Sequence, residues 1–201
     1  MVKICGLTDA AQVAAAVAAG ADALGFVFAE SVREVTPDEA RAAAAAVPAR
    51  VLRVAVMRHP GRERWAEVAR VFRPDVLQTD EVDFAELEVA PAVQRWPVVR
   101  EGDYDAHRVL PPCFVYEGAA SGRGQQVDWS RAAQAARRGR LILAGGLRSD
   151  NVAAAIAAVD PWGLDVSSGV ESAPGVKDPA RMAEFVQAVR RAESAAAGGR
   201  K

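Results

Sequence analysis

Short runs of Val, Ile, Leu and Phe alternate along the chain with longer segments rich in Ala, Arg and Glu, where apolar residues return every three to four positions. The short runs predict strands over residues 2–6, 23–28, 51–57, 75–78, 98–100, 113–116, 140–144 and 163–166. The longer segments predict helices over 9–19, 37–47, 62–72, 129–138, 149–159 and 179–192. Two connections are too short for that pattern: residues 82–89 suit a short helix, and residues 104–110 leave room for a turn or two.

Strand–helix alternation at this spacing predicts a parallel sheet with helices on its faces. Eight units in 201 residues is roughly 25 per unit, the compact end for a single (β/α)8 TIM barrel of parallel strands. An open doubly wound sheet has the same alternation, but "CGLTDAAQ" after the first run lacks the glycine spacing of a dinucleotide-binding turn. No linker interrupts the pattern, so residues 1–193 are expected to form one domain, and the tail 194–201, "SAAAGGRK", to fray. In a closed barrel successive side chains face the interior and the helices in turn. The opening "VKIC" then sends Lys3 and Cys5 inward and Val2 and Ile4 outward, with Cys5 at the C-terminal strand end where barrel sites are built.

Charge narrows the partners. The formal net charge is -1, so no basic field favours nucleic acid. Ala-rich stretches are broken by charge or glycine before they reach membrane-spanning length. The start of the chain lacks a basic segment followed by an apolar stretch, and Cys5 and Cys113 are far apart; a reducing cytoplasm is the expected location. Asn151 is the single asparagine among many arginines, which fits a heat-adapted chain and equally a GC-rich coding sequence.

Candidate chemistry gathers at the strand ends. The seventh run leads into "AGGLRSDNV", where Ser149 or Asp150 can cap the next helix, and the eighth into "DVSSGVES". A glycine turn suits any strand-to-helix junction. Bare backbone after strands seven and eight of a barrel is also the recurrent phosphate cradle, which points to Gly145, Gly146, Ser167, Ser168 and Gly169. Asp128 can simply cap the helix that begins at Trp129. It also stands at the mouth, behind a loop whose Ser121, Gly122 and Gly124 let it close over a ligand. Going round the ring from strand one to strand six takes three steps by the shorter way, so Cys5 and Asp128 face each other across the mouth. That suits a base and an acid on one substrate better than a nucleophile–base pair. Taken alone, a buried cysteine such as Cys5 is more often a small hydrophobe. Arg33 in "FAESVREVTP" is either a surface arginine or a planar clamp for a carboxylate. The two histidines, His59 and His107, have no ligand spacing around them, and neither a nicotinamide nor a P-loop pattern occurs. Chemistry without metal or cofactor is expected.

The stretches "KICGLTD", "GADALGFVF", "SVREVTP", "GRGQQVDW", "LAGGLRSDNV" and "DVSSGVESAPGVKD" fall in order from residue 3 to residue 178 and resemble the phosphoribosylanthranilate isomerase family. The resemblance implies a cofactor-free Amadori rearrangement of N-(5-phosphoribosyl)anthranilate to 1-(2-carboxyphenylamino)-1-deoxyribulose 5-phosphate, a step of tryptophan biosynthesis, on a single barrel. It implies Cys5 as general base, Asp128 as general acid and Arg33 facing the anthranilate carboxylate. It also implies Gly145, Gly146, Ser167, Ser168 and Gly169 at the phosphate, and Asp165 in the substrate pocket or in a structural role. Three features depart from the family pattern: "LQTDE" puts Asp80 where a histidine is common, Ser121 replaces a usual glycine in a short loop, and "SVR" stands for the frequent "SPR". The related histidine-pathway phosphoribosyl isomerase has an aspartate in the place of Cys5 and a substrate with two phosphates, whereas the glycine loops here fall in the second half alone. A third reading is a barrel that binds a phosphorylated ligand without turnover; retention of both Cys5 and Asp128 argues against it. Members of the family occur as monomers and as homodimers, and the composition leans towards a homodimer.

Overall fold

The structure is a computed structural model that describes residues 1–105, 107–118 and 126–198. Eight strands, β1 (Val2–Cys5), β2 (Ala23–Val27), β3 (Leu52–Val56), β4 (Val76–Asp80), β5 (Gln94–Arg100), β6 (Cys113–Glu117), β7 (Arg140–Ala144) and β8 (Gly163–Val166), form a closed barrel in sequence order. Every neighbouring pair is parallel, including β8 with β1, where Lys3 lies in register with Asp165. Helices α1 (Ala10–Ala19), α2 (Pro37–Ala43), α3 (Arg62–Val71), α4 (Trp129–Ala136), α5 (Val152–Val159) and α6 (Pro179–Gly198) surround it. Short 3-10 turns, Glu81–Ala85 and Glu101–Asp103, stand where the connections after β4 and β5 lack a full helix. The (β/α)8 expectation is met, and the open sheet is excluded by the β1–β8 pairing.

Local chemistry sets the boundaries. Asp9 caps α1 by accepting from the Gln12 amide, and Thr36 and Glu39 form a reciprocal capping box ahead of Pro37 in α2. Strand β5 begins four residues before the expected position and runs through Pro97, which pairs with Thr79. The proline forfeits one ladder donor, and the strand continues through it. Neither Ser149 nor Asp150 caps α5. Asn151 holds that position without a side-chain cap bond; its side chain instead accepts from the Arg148 amide at 2.8 Å and donates to the Gly146 carbonyl at 2.9 Å, bracing the glycine turn. Helix α6 continues to Gly198, past Ser194 where fraying was expected. Alanine is the best helix former, and Ser194 Oγ returns a bond to the Arg190 carbonyl at 2.9 Å.

Two apolar shells result. Val2 and Ile4 face outward into the larger one, between barrel and helices, as the strand alternation requires. The smaller one fills the barrel from Ala23, Val54, Val76, Val115 and Ile142, with Trp96 1% exposed and edge-on to Trp162 at a ring separation of 6.4 Å. Above this plug the inward side chains turn polar: Lys3, Gln78 and Asp165. That polar layer is the floor of the site.

Candidate active site

Cys5 ends β1, and its thiol opens onto a cavity of about 230 Å³ at the C-terminal end of the barrel. Beneath it, Lys3 Nζ donates to Asp165 Oδ2 at 2.7 Å in a fully enclosed ion pair. Burial penalises the Lys3 charge, but the Asp165 carboxylate outweighs it and the pKa is pushed up to about 12, so Lys3 is a fixed cation. Burial pushes the Cys5 thiol up, Lys3 pulls it down and Asp165 opposes Lys3; the net direction is up. The thiol is protonated at rest, beside a permanent positive charge that favours its ionised form.

Arg33 reaches the same cavity from the loop after β2. Its stem passes over Gly6, where φ is 76° and a Cβ would sit 2.4 Å from Arg33 Cδ. The fourth letter of "KICG" is therefore the space the arginine crosses. Glu171 accepts from Arg33 Nε at 2.7 Å and from Nη2 at 2.8 Å, a bidentate pair at the start of the hairpin formed by β9 (Glu171–Ala173) and β10 (Val176–Lys177). Lys177 Nζ donates to the same Glu171 at 2.6 Å and to Ser167 Oγ at 3.2 Å, and Ser167 Oγ donates to the Cys5 carbonyl at 3.1 Å. Burial raises the cost of the Glu171 charge, yet bonds from Arg33 and Lys177 hold its pKa below the usual range. One chain of charged hydrogen bonds thus ties the loop after β2, the loop after β8 and the end of β1 together.

The glycine loops meet across the mouth. Gly145 and Gly146 both take left-handed backbone, with φ of 95° and 65°. A Cβ on Gly169 would lie 2.0 Å from the Leu147 carbonyl oxygen, so the loops after β7 and β8 touch backbone to backbone there. Gly145, Gly146, Ser167, Ser168 and Gly169 all line the cavity, as does Asp165, whose Oδ1 is buried with no hydrogen-bond partner among the described residues. A small cavity with a thiol on one wall, a clamped arginine on another and bare backbone on a third suits an anionic sugar derivative.

The model of the N-(5'-phosphoribosyl)anthranilate (PRA) isomerase family matches residues 2–188. The chain belongs to that family. An N-(5'-phosphoribosyl)anthranilate isomerase of Xanthomonas campestris is 40% identical, covering 96% of this chain and 94% of its own, and one of Pseudomonas fluorescens is 40% identical, covering 94% and 95%. Among solved structures, TrpF from Jonesia denitrificans is 37% identical with a TM-score of 0.78, covering 96% of this chain and 97% of its own. A phosphoribosyl anthranilate isomerase in complex with reduced 1-(o-carboxyphenylamino)-1-deoxyribulose 5-phosphate is 30% identical with a TM-score of 0.78, covering 94% and 98%.

Of the isomerase residues expected from sequence, Asp128 alone is absent from the described lining. Its exposed carboxylate caps α4, accepting from the Ser130 amide at 2.8 Å and the Arg131 amide at 3.4 Å, and those bonds lower its pKa. Ser121, Gly122 and Gly124, expected to form a closing loop, lie outside the described residues. Sequence reading passed over Gln78, Arg100 and Glu117, which do line the cavity. Arg100 and Glu117 close β5 and β6, the position that barrel geometry marks, so for them the signal was present, whereas Gln78 is the middle residue of β4. Glu171 and Lys177 gave no such sign, since Glu171 meets Arg33 from far away in sequence and Lys177 enters the site through Glu171 and Ser167.

Proposed function

We propose that this chain catalyses the isomerisation of N-(5-phosphoribosyl)anthranilate to 1-(2-carboxyphenylamino)-1-deoxyribulose 5-phosphate. The observation that carries the reading is the Cys5 thiol opening onto a cavity that the adjoining Gly145–Gly146 and Ser167–Gly169 backbone also lines. On this reading the phosphate rests on those loops and the anthranilate carboxylate takes the guanidinium edge of Arg33 that Glu171 leaves open. Asp128, protonated, gives its proton to the furanose ring oxygen; the C1′–O bond breaks and a Schiff base forms. Cys5, as thiolate, removes the C2′ proton, and the enolamine tautomerises to the ketone. Atoms balance without a cofactor, as an isomerisation requires. Asp165 Oδ1, lacking a donor, suits a sugar hydroxyl.

Asp128 must exchange its cap bonds for the substrate, since those bonds favour its charged form. Asp128→Asn separates the two roles, because Asn caps a helix as well as Asp but carries no transferable proton. Loss of anthranilate fluorescence on adding protein is the assay. Asp128→Asn is expected to lower kcat/KM by about 10²–10⁴-fold with thermal stability kept, while Asp128→Ala loses both. Wild-type turnover in Asp128→Asn would remove the residue from the mechanism. The histidine-pathway substrate, run in parallel, is expected to turn over poorly, because one phosphate cradle serves one of its two ends. A homodimer in the cytoplasm is the setting we infer; a 30% identical structure from Thermotoga maritima is of monomers generated from a phosphoribosylanthranilate isomerase named as dimeric. Sedimentation at twice 21.2 kDa is the expected result, and a single-chain mass contradicts it.

A further inference from the structure

We infer that the barrel rim beside the catalytic mouth carries a divalent-cation site of the zinc class, built from His59 and Asp80. His59 follows β3 and holds a left-handed backbone at φ 45°, which a residue with a side chain adopts when its surroundings impose it. Asp83 imposes it. Its Oδ2 accepts from the His59 amide at 3.2 Å and from Thr79 Oγ1 at 2.5 Å, and its Oδ1 lies 2.9 Å from His59 Nδ1. A carboxylate oxygen only accepts, so in the neutral ring it selects the tautomer with hydrogen on Nδ1 and leaves the lone pair on Nε2. This is the carboxylate–histidine arrangement that orients a metal ligand from behind.

Nε2 faces Asp80 Oδ2 at 3.7 Å. Asp80 is 8% exposed, and while its Oδ1 accepts from Arg100 Nε at 2.8 Å, Oδ2 is buried with no hydrogen-bond partner among the described residues. Two acceptors thus confront each other at a separation too long for a hydrogen bond. Ligand atoms at about 2.0–2.2 Å from a zinc-class ion stand roughly 3.4–3.7 Å apart, depending on the angle, so the gap fits one cation. The orphaned Oδ2 is independent of the clustering of His59, Asp80 and Asp83 and itself calls for a positive partner. His59 is 59% exposed at its side chain, and the adjoining cavity of about 620 Å³ admits water to complete the coordination. One imidazole and one carboxylate select Zn²⁺ or Co²⁺ over Mg²⁺, which prefers an all-oxygen octahedron. The site occupies the "LQTDE" departure, and Arg100, which grips Asp80, lines both cavities.

Titration of the full chain with Co²⁺ tests the assignment by visible absorption. One equivalent is expected to bind and to be displaced by Zn²⁺ but not by equal Mg²⁺. His59→Ala, at an exposed position that leaves the fold intact, and Asp80→Asn should each weaken binding by at least about 10-fold, and Asp83→Asn by about 10–100-fold through lost orientation. His107→Ala should change nothing. Cobalt binding unchanged in His59→Ala, a thiolate charge-transfer band marking Cys5 or Cys113 as the ligand, or no saturation at millimolar metal would overturn the proposal.

Discussion

Lys3 reaches Asp165 at 2.7 Å inside the barrel, and the charge it keeps there decides what Cys5 can do. Lys3→Met acts twice on the thiol: it removes the cation that favours the thiolate and leaves the Asp165 carboxylate uncompensated. Both effects raise the Cys5 pKa further, so the rising limb of kcat/KM and of thiol alkylation should move to higher pH. A limb that stays in place contradicts the role given to Lys3. Breaking one half of a buried pair costs about 3–5 kcal/mol, so Lys3→Met with Asp165→Asn should recover much of the lost stability and separate folding from titration. Arg33 poses the same kind of question. Glu171→Gln loosens the guanidinium and should raise KM with a smaller change in kcat. A product analogue without the aromatic carboxylate should bind the variant as tightly as the wild type; equal weakening of both ligands would make Glu171 a structural residue only.

At the scale of elements, the loops after β7 and β8 act as one unit because Gly169 packs on the Leu147 carbonyl. Gly169→Ala forces the loops apart at an overpacking cost of about 1–3 kcal/mol. Inorganic phosphate should then inhibit the variant less than the wild type, read from inhibition curves; unchanged inhibition places the phosphate elsewhere. Strand periodicity and glycine spacing made these loops legible in the sequence, since a period of two fixes which side chains enter the barrel. Pro97 hid the start of β5, because a proline argues against a mid-strand position that barrel pairing nonetheless fills. Asp128 was ambiguous for a deeper reason: a helix cap and a proton donor both need a carboxyl group at that junction. The pairings of Arg33 with Glu171 and of His59 with Asp80 and Asp83 left no trace in local pattern, because closure of the fold creates them.

The whole barrel is polarised. Trp96 and the apolar inner shell fill one end, while Lys3, Gln78 and Asp165 turn the interior polar beneath the mouth. A barrel filled this way has one reactive end, and the thiol stands there with a cation below it and the glycine-lined loops after β7 and β8 beside it. On the proposed mechanism the ionised sulfur at that place is the base that takes the C2′ proton, and on this the mechanism turns. The most direct measurement is the pH dependence of substrate-fluorescence loss in wild type and Cys5→Ser. Wild-type kcat/KM should climb with pH through the ionisation of the thiol, and Cys5→Ser should lose about 10²–10⁴-fold together with that limb. Turnover in Cys5→Ser at the wild-type rate, with the same pH profile, would contradict it.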